Sequence, residues 1–190
     1  MDRLATMGKV LSETQRVVDH IEPAQLDEPT PCSEWTVRDL LNHVVGGADM
    51  FAIAVTDGSV SDERLGELLA GDNLGDDHRA SFRAACGRAM RAFEPPGVLD
   101  RVVVLPYGEM PAGVALDIAI FDVTTHTWDL AKATGQSTAL DPEVLDAAWE
   151  LAPAMLTDDY RAAGIFGPVV AVDDGAPVQD KLAAFAGRTP

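Results

Sequence analysis

Basic residues are scarce in this chain of 190 residues, which has 14 lysines and arginines against 31 aspartates and glutamates. The formal net charge is therefore -17 at pH 7. So acidic a surface repels phosphate groups, which argues against binding nucleic acids or anionic membranes through a broad basic face. We expect neither a nucleic acid nor a membrane among the partners.

Cysteines and long apolar runs are also scarce. The two cysteines, Cys32 and Cys86, are too few for a disulfide framework and lack the spacing of a zinc-binding cysteine motif. No apolar run approaches the roughly 20 residues that span a bilayer. The N-terminal stretch MDRLATMGKVLSETQRVVDH lacks the apolar core of a signal peptide. We therefore predict a reduced, cytoplasmic protein.

Apolar residues, by contrast, make up 47% of the chain and recur at helical spacing. The pattern predicts helices over residues 3–20, 36–51, 78–93, 112–134 and 141–160. Thr36 and Asp39 are spaced as a capping box, which marks the start of the second helix. Residues 102–105 are β-prone but isolated, which favours an extended crossover or an edge hairpin.

No internal repeat and no linker divides the sequence. We therefore predict one domain over residues 1–190, an all-α helical bundle with a long crossover, short extended segments and an extended tail from about residue 164.

Two ligand-type side chains share one face of the predicted helix 112–134. Asp122 and His126 are four residues apart, so their side chains project from the same face, one turn apart. His43 lies at the edge of the apolar stripe of the second helix. Two histidines and one carboxylate form an open, three-point site of the kind that binds catalytic zinc or another transition metal. A buried Asp–His hydrogen bond without a metal fits the same spacing.

Two blocks of sequence are similar to a known family. They are PTPCSEWTVRDLLNHVVGG (29–47) and DVTTHTWDLAKATGQ (122–136). Together they resemble the DinB-like superfamily of metal-binding four-helix bundles, in the branch that includes mycothiol-dependent maleylpyruvate isomerase. The first block carries the pattern T-P-C-x-x-W-x-V-x-D-L-x-x-H, and the second a carboxylate, three residues, His, two residues and Asp-Leu. The closing FGPVVAVDDGAPVQDKLAAFAGRTP resembles the tail of small members of that branch.

The resemblance implies a DinB-like four-helix bundle in which His43, Asp122 and His126 bind a divalent metal ion. Zinc is the first expectation, with nickel, iron and manganese open. The resemblance further implies that the protein uses a low-molecular-weight thiol such as mycothiol, held as a thiolate. The reaction would be a transfer to, or an isomerisation of, a small electrophile. The isomerase of the branch has Glu where this chain has the shorter Asp122. The sequence leaves two other functions open, a non-catalytic metal- or ligand-binding bundle and a metal-free structural bundle. It also leaves open whether the protein forms a homodimer.

Two further side chains near these motifs are candidates for supporting roles. Asp129 follows His126 by three residues, a spacing at which its carboxylate can orient a ligand imidazole. Cys32 precedes the second helix closely enough for the helix N-terminus to favour a reactive thiolate, although closing the loop is the simpler role. The sequence assigns no catalytic acid or base.

Overall fold

The computed structural model describes residues 2–32, 35–162 and 164–190. Residues 33 and 34, which belong to the loop before the second predicted helix, lie outside the described part. Within it the chain forms eight α-helices and one hairpin. The helices are α1 (Arg3–Asp19), α2 (Val37–Asp57), α3 (Asp62–Ala70), α4 (His78–Phe93), α5 (Ala112–Ala133), α6 (Pro142–Met155), α7 (Asp158–Ala162) and α8 (Val178–Phe185). The strands are β1 (Val102–Leu105) and β2 (Gly108–Pro111), and short 3-10 turns cover Pro23–Gln25 and Val98–Asp100.

Four long helices, α1, α2, α4 and α5, form the bundle. α2 packs chiefly on α4, and α1 packs chiefly on α5, while α2 also lies against α5. Their apolar faces share one core with fully buried side chains from each helix, among them Val17, Leu41, Phe82 and Ile120. The all-α bundle predicted from the hydrophobic periodicity is confirmed.

The start of α2 is fixed by the predicted capping box. The Thr36 hydroxyl accepts a hydrogen bond from the Asp39 amide at 3.2 Å, and the Asp39 carboxylate accepts one from the Thr36 amide at 2.9 Å. Two amides at the helix N-terminus are thereby satisfied. This cap fixes where the helix begins, and so fixes the face on which His43 projects two turns later.

α5 is the central helix, because 17 of its 22 residues are buried. Three nearby threonines, Thr124, Thr125 and Thr127, bury their hydroxyls by donating hydrogen bonds to backbone carbonyls four residues earlier. The helix ends before Gly135, whose φ of 68° suits the left-handed conformation of a helix stop. Asp122, His126 and Asp129 are thus carried on a rigid, packed element.

Two helix ends differ from the prediction. α2 continues past Phe51 to Asp57, because residues 52–57 include neither proline nor glycine. The helix ends at Gly58, which adopts a φ of 90°. The helix predicted over 141–160 ends at Met155, and α7 begins separately at Asp158. Pro153 lies in the last turn of α6, where it lacks the amide that would continue the hydrogen-bond ladder.

The β-prone stretch forms the hairpin that was one of its two predicted outcomes. β1 and β2 pair antiparallel, with Leu105 opposite Gly108. Val103 and Leu105 are buried, and Val102 and Val104 alternate with them on the exposed face. The hairpin therefore closes the crossover between α4 and α5 instead of opening a second layer.

The C-terminal region, residues 134–190, packs against one side of α5 through a smaller apolar cluster. This cluster joins Phe121 of α5 to side chains of α6 and α8, including Leu145 and Leu182. Residues 168–173 have no regular secondary structure, and α8 then packs on α5 and α6. The single-domain assignment for residues 1–190 stays a prediction.

No helix in the described part of the chain is both long enough and apolar enough to span a membrane. The cytoplasmic location stays a prediction.

Candidate metal centre

The three predicted ligand residues lie together where α2 meets α5. The His43 Nε2 atom is 3.6 Å from Asp122 Oδ2, and His126 Nε2 is 3.4 Å from Asp122 Oδ1. One ligand atom from each residue lies within 4.8 Å of the others. The two imidazole rings meet edge to face, with centroids 5.1 Å apart. The i, i+4 spacing thus places Asp122 beside His126, and the packing of α2 against α5 adds His43, so that two nitrogen donors and a carboxylate converge.

These separations fit a shared cation better than direct hydrogen bonds. Zinc–nitrogen and zinc–oxygen distances of about 2.0–2.2 Å place neighbouring tetrahedral ligand atoms roughly 3.4 Å apart. The two measured separations, 3.4 and 3.6 Å, are close to that value. Good hydrogen bonds between nitrogen and oxygen are shorter, about 2.7–3.2 Å. The donor set and its spacing thus suit a divalent metal ion.

His126 also belongs to a second group of ligand-type side chains, with Cys32 and Asp129. A guanidinium already occupies that side. Arg188 donates from Nε and Nη2 to the two carboxylate oxygens of Asp129, at 3.2 and 3.0 Å, and from Nη2 to Cys32 Sγ at 3.1 Å. A second cation there would be repelled at short range. The group formed with His43 and Asp122 is therefore the better metal site.

The remaining ring nitrogen of His126 is held by Asp129. His126 Nδ1 lies 3.0 Å from Asp129 Oδ2, and the Asp129 side chain is fully buried. The Cys32 thiol donates to the same carboxylate oxygen at 3.2 Å. A hydrogen bond at Nδ1 fixes the tautomer that leaves Nε2 free as a ligand atom, and carboxylates commonly do this for ligand histidines. Asp129 thus has the contact that its spacing from His126 predicted.

Charge interactions within the site are strong. Burial opposes ionisation of Asp122, but His126 and His43 outweigh it and hold the pKa of Asp122 well below its usual range. Burial likewise disfavours the protonated form of His126, yet Asp122, Asp129 and Cys32 raise its pKa well above the ordinary value. The pKa of Asp129 is lowered against the effect of burial, through His126 and Arg188. The site therefore attracts positive charge strongly, whether a proton or a metal ion.

A cleft of about 440 Å³ opens onto these residues. Its floor is formed by His43, Asp122 and His126, and its C-terminal wall by residues 164–167, Gly187 and Arg188. Trp35 forms another wall, with its ring centroid 4.8 Å from that of His43. Pockets that bind small molecules commonly have volumes of about 300–1,000 Å³. The cleft is large enough to admit a small molecule to the candidate metal site.

The other two histidines and one of the two cysteines lie away from this site. His20 is exposed at the end of α1, with Nδ1 2.8 Å from the Arg16 carbonyl oxygen. His78 is buried at the start of α4, and its Nε2 has no hydrogen-bond partner among the described residues. Cys86 is in the bundle core, where burial raises its pKa to about 12. Cys32, in contrast, lines the cleft.

Arg188 is the contact that sequence reasoning missed. It is only 8% exposed and reaches Asp129 across 59 positions of the chain. Neither periodicity nor a local motif marks it, because it follows α8 in the short closing stretch Gly-Arg-Thr-Pro. The resemblance of the closing sequence to the tails of other small family members pointed to this segment but gave none of its residues a role.

Comparison with known proteins connects this geometry to a family. The family model described as the mycothiol maleylpyruvate isomerase N-terminal domain matches residues 8–131. Two Mycobacterium tuberculosis proteins, uncharacterized protein Rv0738 of strain H37Rv and uncharacterized protein MT0763 of strain CDC 1551, are each 35% identical over 190 residues. The alignments cover 100% of this chain and 99% of each relative.

Two solved structures share the fold. They are crystal structures of the mycothiol-dependent maleylpyruvate isomerase, one of them of a mutant form, with TM-scores of 0.66 and 0.70 for the protein and the mutant respectively. Each is 20% identical in sequence, and the match covers 86% of this chain and 71% of that chain. The resemblance inferred from the two sequence blocks is confirmed. The matched range of the family model includes the three candidate ligands and Asp129 but ends before the C-terminal region.

Proposed function

Because this chain belongs to the mycothiol maleylpyruvate isomerase N-terminal domain family, we propose that it is a divalent-metal-dependent enzyme. In this proposal the enzyme uses a low-molecular-weight thiol of the mycothiol type. It either transfers the thiol to a small electrophile or uses the thiol to isomerise that electrophile. His43, Asp122 and His126 are its metal ligands in this proposal. Zinc is the preferred ion, since imidazole and carboxylate donors in an open three-ligand site suit it, and nickel, iron and manganese are the alternatives.

The observation that carries the proposal is the convergence of His43, Asp122 and His126 at the floor of an open cleft. Two imidazoles and one carboxylate would hold a divalent ion with net positive charge, and three protein ligands are the set that leaves room for a further ligand. A divalent metal ion in such a site stabilises a thiolate, the nucleophilic form of a thiol, at neutral pH. The family name supplies the class of thiol.

The chain's own groups define how a thiol and an electrophile would be held. His126 keeps its ring orientation through Asp129, so its Nε2 faces Asp122. Trp35 packs beside His43, with the two ring centroids 4.8 Å apart. Phe166, on the C-terminal wall, offers an apolar surface opposite the metal ligands. A bound electrophile would therefore contact both a polar floor and an apolar wall.

A metal-free bundle with a buried Asp–His network is less well supported. Asp122 is half-buried and lies 3.4 and 3.6 Å from its two histidine neighbours, which is long for hydrogen bonds that would have to hold an ionised pair. Non-catalytic metal binding uses the same three ligands, so only an activity measurement separates it from catalysis. The homodimer also stays a prediction.

Metal content tests the first half of the proposal. Protein purified without a histidine tag or added metal is analysed for bound elements, alongside His43→Ala and a His20→Ala control. We expect near-stoichiometric metal in the wild-type protein and in His20→Ala, since His20 is exposed and lies outside both ligand groups, and loss of the metal in His43→Ala. Wild-type protein that is empty and also refuses added zinc, nickel, iron and manganese would refute the proposal.

Thiol dependence tests the second half. The metal-loaded protein is incubated with mycothiol and a panel of small electrophiles, and consumption of each electrophile is followed with and without the thiol. We expect turnover that requires both the thiol and the metal and is absent in His43→Ala. Stoichiometric metal without thiol-dependent turnover or thiol binding would leave the non-catalytic binding module as the function.

A further inference from the structure

Arg188 anchors the C-terminal region to the candidate metal centre. Although it is the third residue from the C-terminal end, Arg188 is only 8% exposed and forms part of the wall of the cleft. It reaches this place because the backbone at Gly187 passes directly against Gly167. Gly187 has a φ of 88°, and a Cβ there would lie 2.6 Å from the Gly167 Cα atom. The close backbone contact between Gly187 and Gly167 thus places Arg188 at the cleft.

Most of the hydrogen-bonding capacity of the Arg188 guanidinium is committed within the protein. An arginine side chain has five N–H donors. Arg188 donates from Nε and Nη2 to Asp129, from Nη2 also to Cys32 Sγ, and from Nη1 to the Ala186 carbonyl oxygen at 2.9 Å. These four bonds engage four of the five donors, which favours a role in holding protein groups over a role in capturing substrate.

The group it holds is the partner of a candidate ligand. Asp129 is fully buried, and a buried carboxylate keeps one orientation only when its oxygens are paired. The two parallel bonds from Arg188 fix the plane of the carboxylate. Oδ2, one of the two oxygens that Arg188 bonds, is also the oxygen 3.0 Å from His126 Nδ1. The guanidinium thus fixes the position of Asp129 Oδ2, and this oxygen fixes the orientation of the His126 ring.

We propose that Arg188 is a positioning residue for the metal centre, acting through Asp129 on His126. The inference rests on the proposed function, because it assigns a purpose to Arg188 only if His126 binds a metal. It also assigns a role in the site to the C-terminal region, which lies outside the residues matched by the family model.

The test is metal binding with Co²⁺ alone, followed by its visible absorption spectrum, which reports ligand geometry. Arg188→Ala is compared with Arg188→Lys and with the matched control Arg161→Ala. Arg161 also ties down the C-terminal region, by donating to the carbonyl oxygens of Gly167 and Phe185, but it does not contact Asp129. Circular dichroism and thermal unfolding show whether each variant is folded.

We expect Arg188→Ala to weaken Co²⁺ affinity by roughly 10–100-fold, the usual effect of removing the partner that orients a metal ligand, and to alter the spectrum. Added guanidinium at a non-denaturing concentration should restore part of the affinity, since the vacated site opens on the cleft. Arg188→Lys should fall between, because lysine supplies the charge without the planar fork. Arg161→Ala should match the wild-type affinity and spectrum.

The outcomes separate this inference from the proposed function. Wild-type protein that binds no Co²⁺ refutes the metal centre itself, and the positioning role with it. Wild-type binding that is lost in His43→Ala but unchanged in Arg188→Ala refutes the positioning role alone. Equal weakening in Arg161→Ala and Arg188→Ala, without rescue by guanidinium, also refutes it, since general loosening of the C-terminal region would then explain both. If Arg188→Ala does not fold, Arg188→Lys decides by the same comparison.

Discussion

The helical bundle and the C-terminal region reach the same cleft by different physical means. The bundle contributes His43, Asp122 and His126 from the interior turns of α2 and α5, and packing within one large apolar core positions them. The C-terminal region contributes Arg188 from a short closing stretch held by a smaller apolar cluster and by polar contacts to backbone carbonyls. The ligand-type groups thus come from the helices of the larger core, and Arg188, which bonds Asp129, comes from the region with the smaller apolar cluster.

This difference is consistent with what a metal site requires. A metal site needs ligand atoms held within a fraction of an ångström, which packed helices provide. Arg188 is buried beside these ligands, but it is held by a region outside the bundle core. Three measurements test this comparison.

The largest effect should come from matched leucines in the two apolar clusters. Leu116 is 1% exposed in the bundle core and Leu182 is 3% exposed in the C-terminal cluster. Leu116→Ala should lower the free energy of unfolding by about 2–5 kcal/mol, as buried leucine truncations do. Leu182→Ala should cost less, because a small cluster near the surface can relax into the space. Urea unfolding measures both.

The control for this pair is Leu69→Ala, since Leu69 is 66% exposed on α3. It should change stability by less than about 0.5 kcal/mol. A loss at Leu182 equal to that at Leu116 would contradict the comparison and make the C-terminal cluster an equal partner of the bundle core.

A smaller effect should come from the helix caps. α2 begins with a reciprocal capping box, whereas α8 begins after Pro177 with no side-chain cap bond from the described residues. Thr36→Ala should therefore destabilise the protein by about 1 kcal/mol, measured by thermal unfolding. Gln179→Ala on α8, a half-buried helix position without a capping role, serves as the comparison and should cost less. A cost at Gln179 as large as that at Thr36 would show that local start signals do not distinguish the two regions.

The same cap gives a pH dependence with a defined sign. Hydrogen bonds from the Thr36 hydroxyl and then from its amide lower the pKa of Asp39. A carboxylate whose folded-state pKa is depressed stabilises the protein above its unfolded value, about 3.9, and this contribution is lost as the pH falls through the folded pKa. The stability difference between wild type and Asp39→Ala should thus be constant near neutral pH and shrink below about pH 4. Urea midpoints measured across this range check it, and a difference that grows on acidification would contradict the assignment.

Prediction from sequence succeeded where the determinants were local. The capping box at Thr36 located the start of α2, and the proline-rich end after Phe93 located the end of α4. The four-residue spacing of Asp122 and His126 placed both on one helix face. It failed at the end of α6, where apolar periodicity continues past Pro153 although the missing amide of that proline ends the helix within two residues.

Sequence patterns were enough to predict the helical segments and the pair of ligand-type groups on α5, because helix periodicity, caps and i, i+4 spacing act between neighbours along the chain. The two sequence blocks indicated the family and grouped His43 with that pair. The distances at which His43 meets the pair, and the bonds from Arg188 to Cys32 and Asp129, come from tertiary packing. Those contacts join positions 59 or more residues apart. They depend on how helices pack and on where the closing backbone crosses Gly167, which no local pattern encodes.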